Sequence, residues 1–148
     1  MMKNLIILFA LVFCFSCKTT QSIGQKYTTS KKVEGYYNKA QEYLFARKYD
    51  EAINSLKEAI HLDPNYIPSF FTLASIYQNQ FKDYSKAAEQ YQKILDLEEN
   101  NQTVRFNKSL CHFNLQEFDK SEALMNAFVK DASSNQKGLA LAKQVLKN

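Results

Sequence analysis

The sequence has little with which to interrupt a helix. Three glycines and two prolines in 148 residues leave long stretches without a breaker. That disfavours turn-rich sandwiches and barrels and favours helices. Gly24, Gly35 and Gly138 are far apart, so no glycine-rich loop exists to cradle a phosphate. His61 and His112 are the only histidines, and no Glu-x-x-His spacing accompanies them, which leaves no recognisable metal-ligand set. Cys111 adjoins His112, but neighbours on a helix point about 100° apart and do not form a nucleophile–base pair. The net charge is only +4 and its bases are scattered, whereas a nucleic-acid binder clusters them on one face. No enzyme, cofactor, metal or nucleic-acid role is therefore expected. The chain is 45% hydrophobic, with nine Tyr and eleven Phe but no Trp, so it is apolar enough to bury a core.

The first residues read as an address. Met1-Met2-Lys3-Asn4 is a short basic start, and Leu5 to Phe15 runs eleven residues without charge. Eleven helical residues span about half of a ~30 Å hydrocarbon core, too short for a membrane span but suited to a signal-peptide core. Ser16-Cys17 then resembles the lipobox of bacterial lipoproteins, in which the cysteine is lipidated and becomes the new N-terminus. One departure is Cys14, at the third position before the cut, where Leu is usual. An ordinary cleaved signal or an uncleaved hydrophobic anchor are the alternatives. The resemblance implies a signal peptide over 1–16, lipidation at Cys17 and a polar tether over 17–32. A lipidated Cys17 would leave Cys111 without a disulfide partner. The implied location is the cell envelope, at the outer membrane facing the periplasm.

From Val33 the chain repeats at intervals of 34 or 35 residues. Tyr36, Phe70 and Arg105 are equivalent, as are the small residues Ala40, Ala74 and Ser109. The flat rings Tyr43, Tyr77 and His112 form a third series, and Tyr49, Tyr84 and Phe118 a fourth. Asp50, Ser85 and Asp119 follow, each a good helix N-cap. Ala52, Ala87 and Ser121, then Leu56, Tyr91 and Met125, continue the pattern. One extra residue between Tyr77 and Tyr84 accounts for the longer interval. The pattern predicts two antiparallel helices per unit, A and B, running about Val33–Ala46 and Asp50–Leu62 in the first. Ala40 and Ala52 let the two backbones approach, and Asp63-Pro64 stops helix B.

These residues resemble the tetratricopeptide repeat. Tyr36, Ala40, Tyr43, Ala52, Leu56, Ala59 and Pro64 occupy seven of its eight signature positions, with Lys39 in place of the usual Leu. The second repeat matches through Phe70, Leu73, Ala74, Tyr77, Ala87 and Tyr91, departing at Ile94 and Glu99. The third departs at Arg105, Lys108 and Phe128. The resemblance implies an all-α solenoid over 33–148: repeats at about 33–66, 67–101 and 102–135, then a capping helix over 134–147 in which Leu139, Ala142, Val145 and Leu146 form an apolar stripe.

In that family the A helices line a concave groove that grips an extended peptide or a partner helix. One residue after each signature aromatic position come Tyr37, Phe71 and Phe106. Further along lie Gln41, Ser75 and Leu110, then Leu44 and Phe45, Gln78 and Asn79, and Phe113 and Asn114. This surface suits a hydrophobic or amide-rich protein segment, because rigid aromatics make good anchors. It does not suit an acidic C-terminus, because Tyr37 and Phe71 stand on the line of the family's Lys/Asn/Arg clamp. Packing against a neighbouring repeat is the other reading of the three aromatics, and a tether folded into the groove is another possible occupant. The expected function is a scaffold binding a protein partner in envelope assembly or secretion. The alternatives are a self-associating structural subunit and an envelope enzyme without a recognisable motif.

Overall fold

A computed structural model of the chain describes residues 30–131. Among them, six helices follow one another with short connections and no strand. They are α1 (30–45), α2 (Tyr49–Leu62), α3 (Ile67–Ile76, continued by a π-helical turn at Tyr77–Phe81), α4 (Tyr84–Leu97), α5 (Gln102–Asn114) and α6 (Phe118–Asp131). Each of α2 to α5 packs on the next in sequence, so the core is a continuous ribbon between pairs. The leader, Cys17, most of the tether and the proposed capping helix lie outside the described residues. Residues 30–32, the last of the stretch expected to be tether, are already helical.

The small residues do what their spacing implies. Ala40, Ala52, Ala59, Ala74 and Ala87 are fully buried. Around Ala40 and Ala52 gather Ile53, Leu56, Leu73 and Ile76, joining α1, α2 and α3. A second cluster joins α3, α4 and α5 through Phe70, Ala74, Tyr91, Ile94, Val104 and Cys111. The third repeat, the weakest match in sequence, keeps its register. Ser109 and Ser121 replace alanines, and the hydroxyl of Ser121 donates to the Ser109 carbonyl at 2.9 Å across α5 and α6. That satisfies a group whose burial would otherwise be costly. Met125 and Phe128 complete the packing there.

The A–B turns correct two expectations. Each turn carries one residue in the left-handed region: Arg47 (φ 57°), Lys82 (φ 54°) and Gln116 (φ 61°). In the first turn the Arg47 N–H donates to Leu44 and the Lys48 N–H to Tyr43. The third turn repeats this with Gln116 to Phe113 and Glu117 to His112. This is the Schellman arrangement, which closes a helix and starts the next at once. Helix B therefore begins on the aromatic residue, and Asp50, Ser85 and Asp119 are not its caps but lie one residue inside it. The cap of α2 is Lys48, without a side-chain bond, and that of α4 is Asp83, which accepts from the Lys86 N–H. The second correction concerns the extra residue of repeat 2. It widens the last turn of helix A into the π turn instead of lengthening the connection, and the N–H groups of Lys82 and Asp83 share the Tyr77 carbonyl.

Candidate functional site

The helix-A residues proposed as a groove begin with three rings, and the structure gives each an aromatic support. Tyr37 meets Tyr66 edge to face at 5.6 Å between centroids. Phe71 meets Tyr91 at 5.9 Å, and Phe106 meets Phe128 at 5.1 Å. All three are half-buried. Each ring packs against its own domain and keeps part of its surface accessible. Supports of this kind hold a ring in place at little entropic expense when a partner arrives.

The A helices lie in series, because α1 meets Leu73 and Ile76 of α3, while Phe70 and Ala74 of α3 share a cluster with Val104 and Cys111 of α5. Along α1, Gln41 is exposed, Leu44 is half-buried and Phe45 is 94% exposed. On α3 the Ser75 hydroxyl donates to the Phe71 carbonyl at 2.9 Å. Gln78 accepts at Oε1 from the Tyr91 hydroxyl at 2.9 Å. On α5, Leu110 leans on the Met125–Phe128 cluster and Phe113 meets Phe118 at 5.7 Å. Asn114 donates from Nδ2 to the Leu110 carbonyl at 2.7 Å. From Ile67 to Phe81 the central A helix carries no charged residue at all.

Titratable groups near this surface are inert or structural. Tyr91 is 1% exposed, and burial pushes its phenol up to about 12. Burial likewise pushes the Cys111 thiol up to about 11, far from the range in which thiolates react at neutral pH. His112 was expected in a packing role; it is half-buried, with Nδ1 2.5 Å from Glu117 Oε2. Lys120 holds the other carboxylate oxygen at 2.8 Å, and both partners keep the Glu117 carboxyl below its ordinary value, Lys120 most. The pair staples the α5–α6 turn. His61 sits exposed in the last turn of α2, as its position near the helix terminus suggested. Among the described residues no group of three His, Cys, Asp or Glu could hold a metal.

One feature escaped sequence reasoning. A depression of about 300 Å³ is lined by Asp50, Ile53, Asn54, Lys57, Tyr77, Phe81, Asp83 and Lys86. It lies between α2, the π turn and α4. Lys86 pairs with Asp83 at 2.7 Å and stands 5.5 Å from the Tyr77 ring centroid. The only trace of this in the sequence was the extra residue before Tyr84, because the π turn is what brings Phe81 to the wall.

Family models described as tetratricopeptide repeat match residues 33–66 and residues 71–136. The chain belongs to the tetratricopeptide repeat family. Its repeats are those of a protein-interaction scaffold. Over 83 residues it is 34% identical to the small glutamine-rich tetratricopeptide repeat-containing protein 2 of Saccharomyces cerevisiae, covering 53% of this chain and 24% of that protein. The match spans only about a quarter to a third of the curated relatives found. Among solved structures, the first tetratricopeptide domain of Spaghetti (RPAP3), bound to the HSP90 peptide SRMEEVD, superposes with a TM-score of 0.67. That alignment has 20% identity and covers 80% of this chain and 96% of that one. The type III secretion translocator chaperone SycD of Yersinia enterocolitica gives 0.64 at 17% identity, covering 79% of this chain and 88% of that one. At these identities the structural likeness is one of fold.

Proposed function

We propose that this tetratricopeptide protein is a membrane-tethered scaffold that holds a protein partner against its A helices. The observation that carries the reading is the row Tyr37, Phe71 and Phe106, one half-open ring per repeat, each fixed by an aromatic neighbour. Gln41, Leu44, Phe45, Ser75, Gln78, Leu110, Phe113 and Asn114 complete the surface. Rigid aromatics with amides around them are the composition of a binding hot spot. The bound HSP90 peptide of the RPAP3 domain supports a peptide ligand in a repeat array of this size. Tethering rests on the uncharged run Leu5–Phe15 and on Ser16-Cys17, which together fit a lipoprotein leader. A lipid on Cys17 would place the scaffold at the outer membrane, facing the periplasm, in assembly or secretion; the fold shared with the secretion chaperone is consistent with the second role.

Two measurements test this. Envelope fractionation of wild type and Cys17→Ala, with mass spectrometry of the N-terminal peptide, reports the anchor; an unmodified Cys17 would refute it. Crosslinked pull-down from envelopes is then compared between wild type and Gln41→Glu/Phe45→Ser. Both positions are exposed, so the fold is spared. Loss of the partner supports the groove, and its full retention speaks against it. A second reading, self-association, is favoured by Phe45, Phe81, Leu115 and Phe118, which are exposed beside the A–B turns. Sedimentation of the detergent-free Cys17→Ala protein as a monomer would dismiss it.

A further inference from the structure

We propose that the cleft between α2, the π turn and α4 is a second recognition site, one that takes the arginine side chain of a protein partner. None of its lining residues belongs to the A-helix row, so the site stands apart from the proposed groove.

Three observations carry it. First, the cleft is peculiar to repeat 2. The π turn that brings Phe81 to its wall has no counterpart at the other two A–B turns, and π turns inside helices are frequent at functional sites. Phe81 is left 47% exposed there, its ring 6.4 Å from that of Tyr77. Second, the cleft already holds a cation. The Lys86 ammonium lies 2.7 Å from Asp83 Oδ2 and 5.5 Å from the Tyr77 ring centroid, so a carboxylate and a ring face act on it together. Third, the opposite wall carries an unspent carboxylate. Asp50, Ile53, Asn54 and Lys57 share one face of α2 by their spacing. Asp50 is exposed and makes no ion pair or side-chain hydrogen bond among the described residues.

These charges sort the ligand. Lys86 spends its charge on Asp83, so an incoming group meets the Asp50 carboxylate and the negative face of Phe81 at the turn end of the cleft. An anion is repelled there and a cation is drawn in. Lys57 stands seven residues along α2 from Asp50, about 10 Å away. With Asn54 it offers hydrogen-bond donors to main-chain carbonyls of the partner. A guanidinium is favoured over an ammonium because it is planar, weakly hydrated and forked. It lies flat on a ring while two of its N–H groups meet one carboxylate, and Ile53 supplies apolar wall for its aliphatic stem. A space of about 300 Å³ admits a side chain with its adjoining main chain, whereas a helix is about 10 Å across.

The test titrates the isotope-labelled full chain in detergent with blocked tripeptides: Ala-Arg-Ala, its neutral citrulline analogue, Ala-Lys-Ala and Ala-Glu-Ala. In NMR spectra, Ala-Arg-Ala should move the amide signals of Asn54 and Phe81 saturably. The citrulline peptide should leave them in place, and the lysine peptide should bind severalfold more weakly. Equal binding of the citrulline peptide, preference for the glutamate peptide, or no saturable shift would each overturn the proposal. Asp50→Asn and Phe81→Leu should each weaken Ala-Arg-Ala binding about threefold; unchanged binding in Asp50→Asn would refute the assignment even if Phe81→Leu does not fold. Lys86→Met should act in the opposite direction. It frees Asp83 as a second carboxylate and removes a like charge, so binding should tighten severalfold. Weaker binding in Lys86→Met would make Lys86 the contact of an anion and overturn the cation reading. Arg47 is an exposed arginine of the chain itself. Should the protein sediment as a dimer that Arg47→Gly dissolves, the occupant is a second copy and the assignment to a partner falls.

Discussion

Alkaline pH should destabilise the fold through two buried acids at the junction of α3, α4 and α5. Cys111 is fully buried and Tyr91 is 1% exposed, and they share a cluster. Burial raises the thiol from 9.0 to about 11 and the phenol from 10.0 to about 12. In both cases the folded state prefers the protonated, neutral form. Their contribution is therefore whole below the unfolded values and is lost as pH rises toward the folded ones. Two pKa units correspond to about 2.7 kcal/mol per group when titration is complete. Between pH 7 and 10.5 the same relation gives a loss of about 1.9 kcal/mol from Cys111 and about 0.8 kcal/mol from Tyr91. Lys108, held below its ordinary value by burial, acts in the opposite sense, and Tyr66, raised chiefly by burial, in the same sense. Cys111→Ala isolates the larger part. Urea unfolding at pH 7, 9 and 10.5 should show wild type losing on the order of 2–3 kcal/mol over this range. Cys111→Ala should start lower at pH 7, for its lost volume, and fall by roughly 1.9 kcal/mol less. A wild-type stability flat to pH 10.5, or a parallel decline in Cys111→Ala, would refute burial as the cause.

Other expectations follow from the turns and the core. Arg47→Gly and Gln116→Gly should each stabilise by about 0.5 kcal/mol, the relief of a left-handed side-chain residue net of glycine's entropy; destabilisation in thermal melts would contradict the turn geometry. Asp83→Ala should cost about 1 kcal/mol as a lost cap, whereas Asp50→Ala should cost a few tenths as a first-turn acid. Equal costs would restore Asp50 to the cap position. Ser69 is fully buried, and its Oγ finds no hydrogen-bond partner among the described residues. Ser69→Ala should therefore raise the urea midpoint, by about 1 kcal/mol in stability; a lower midpoint would mean that the hydroxyl is satisfied.

How much of this could be read from the chain depends on the range of the interactions involved. Helix pairing was legible because Ala40, Ala52, Ala74 and Ala87 sit where only small side chains let backbones approach, a constraint that survives in a single sequence. Helix starts were legible only to within a residue. Asp50 and Asp119 have the right chemistry for a cap, but the closing turn is decided by the backbone at Arg47 and Gln116, residues with no preference for a left-handed φ. The extra residue of repeat 2 was visible as a count, yet only the hydrogen bonding at Tyr77 decides between a longer loop and a π turn. For the candidate groove, identity and order came from the pattern. Orientation did not. How the side chains of Ser75 and Gln78 are turned depends on Phe71 and Tyr91, one a turn away and the other on the next helix.

The π turn also makes the joints of the stack unequal. It carries Phe81 to within 6.4 Å of Tyr49, so a ring from repeat 2 rests on a ring from repeat 1 at the turn edge. Among the described residues, the ring pair at the third turn, Phe113 with Phe118, stays inside repeat 3. Repeats of this kind touch only their neighbours, so the array is as stiff as each joint makes it. The first joint carries a ring pair at its turn edge, whereas the second is packed from within, Phe70 and Tyr91 lying against Val104 and Cys111. The edge pair ties α2 to the last turn of α3, so the first two repeats cannot part on that side without separating two rings.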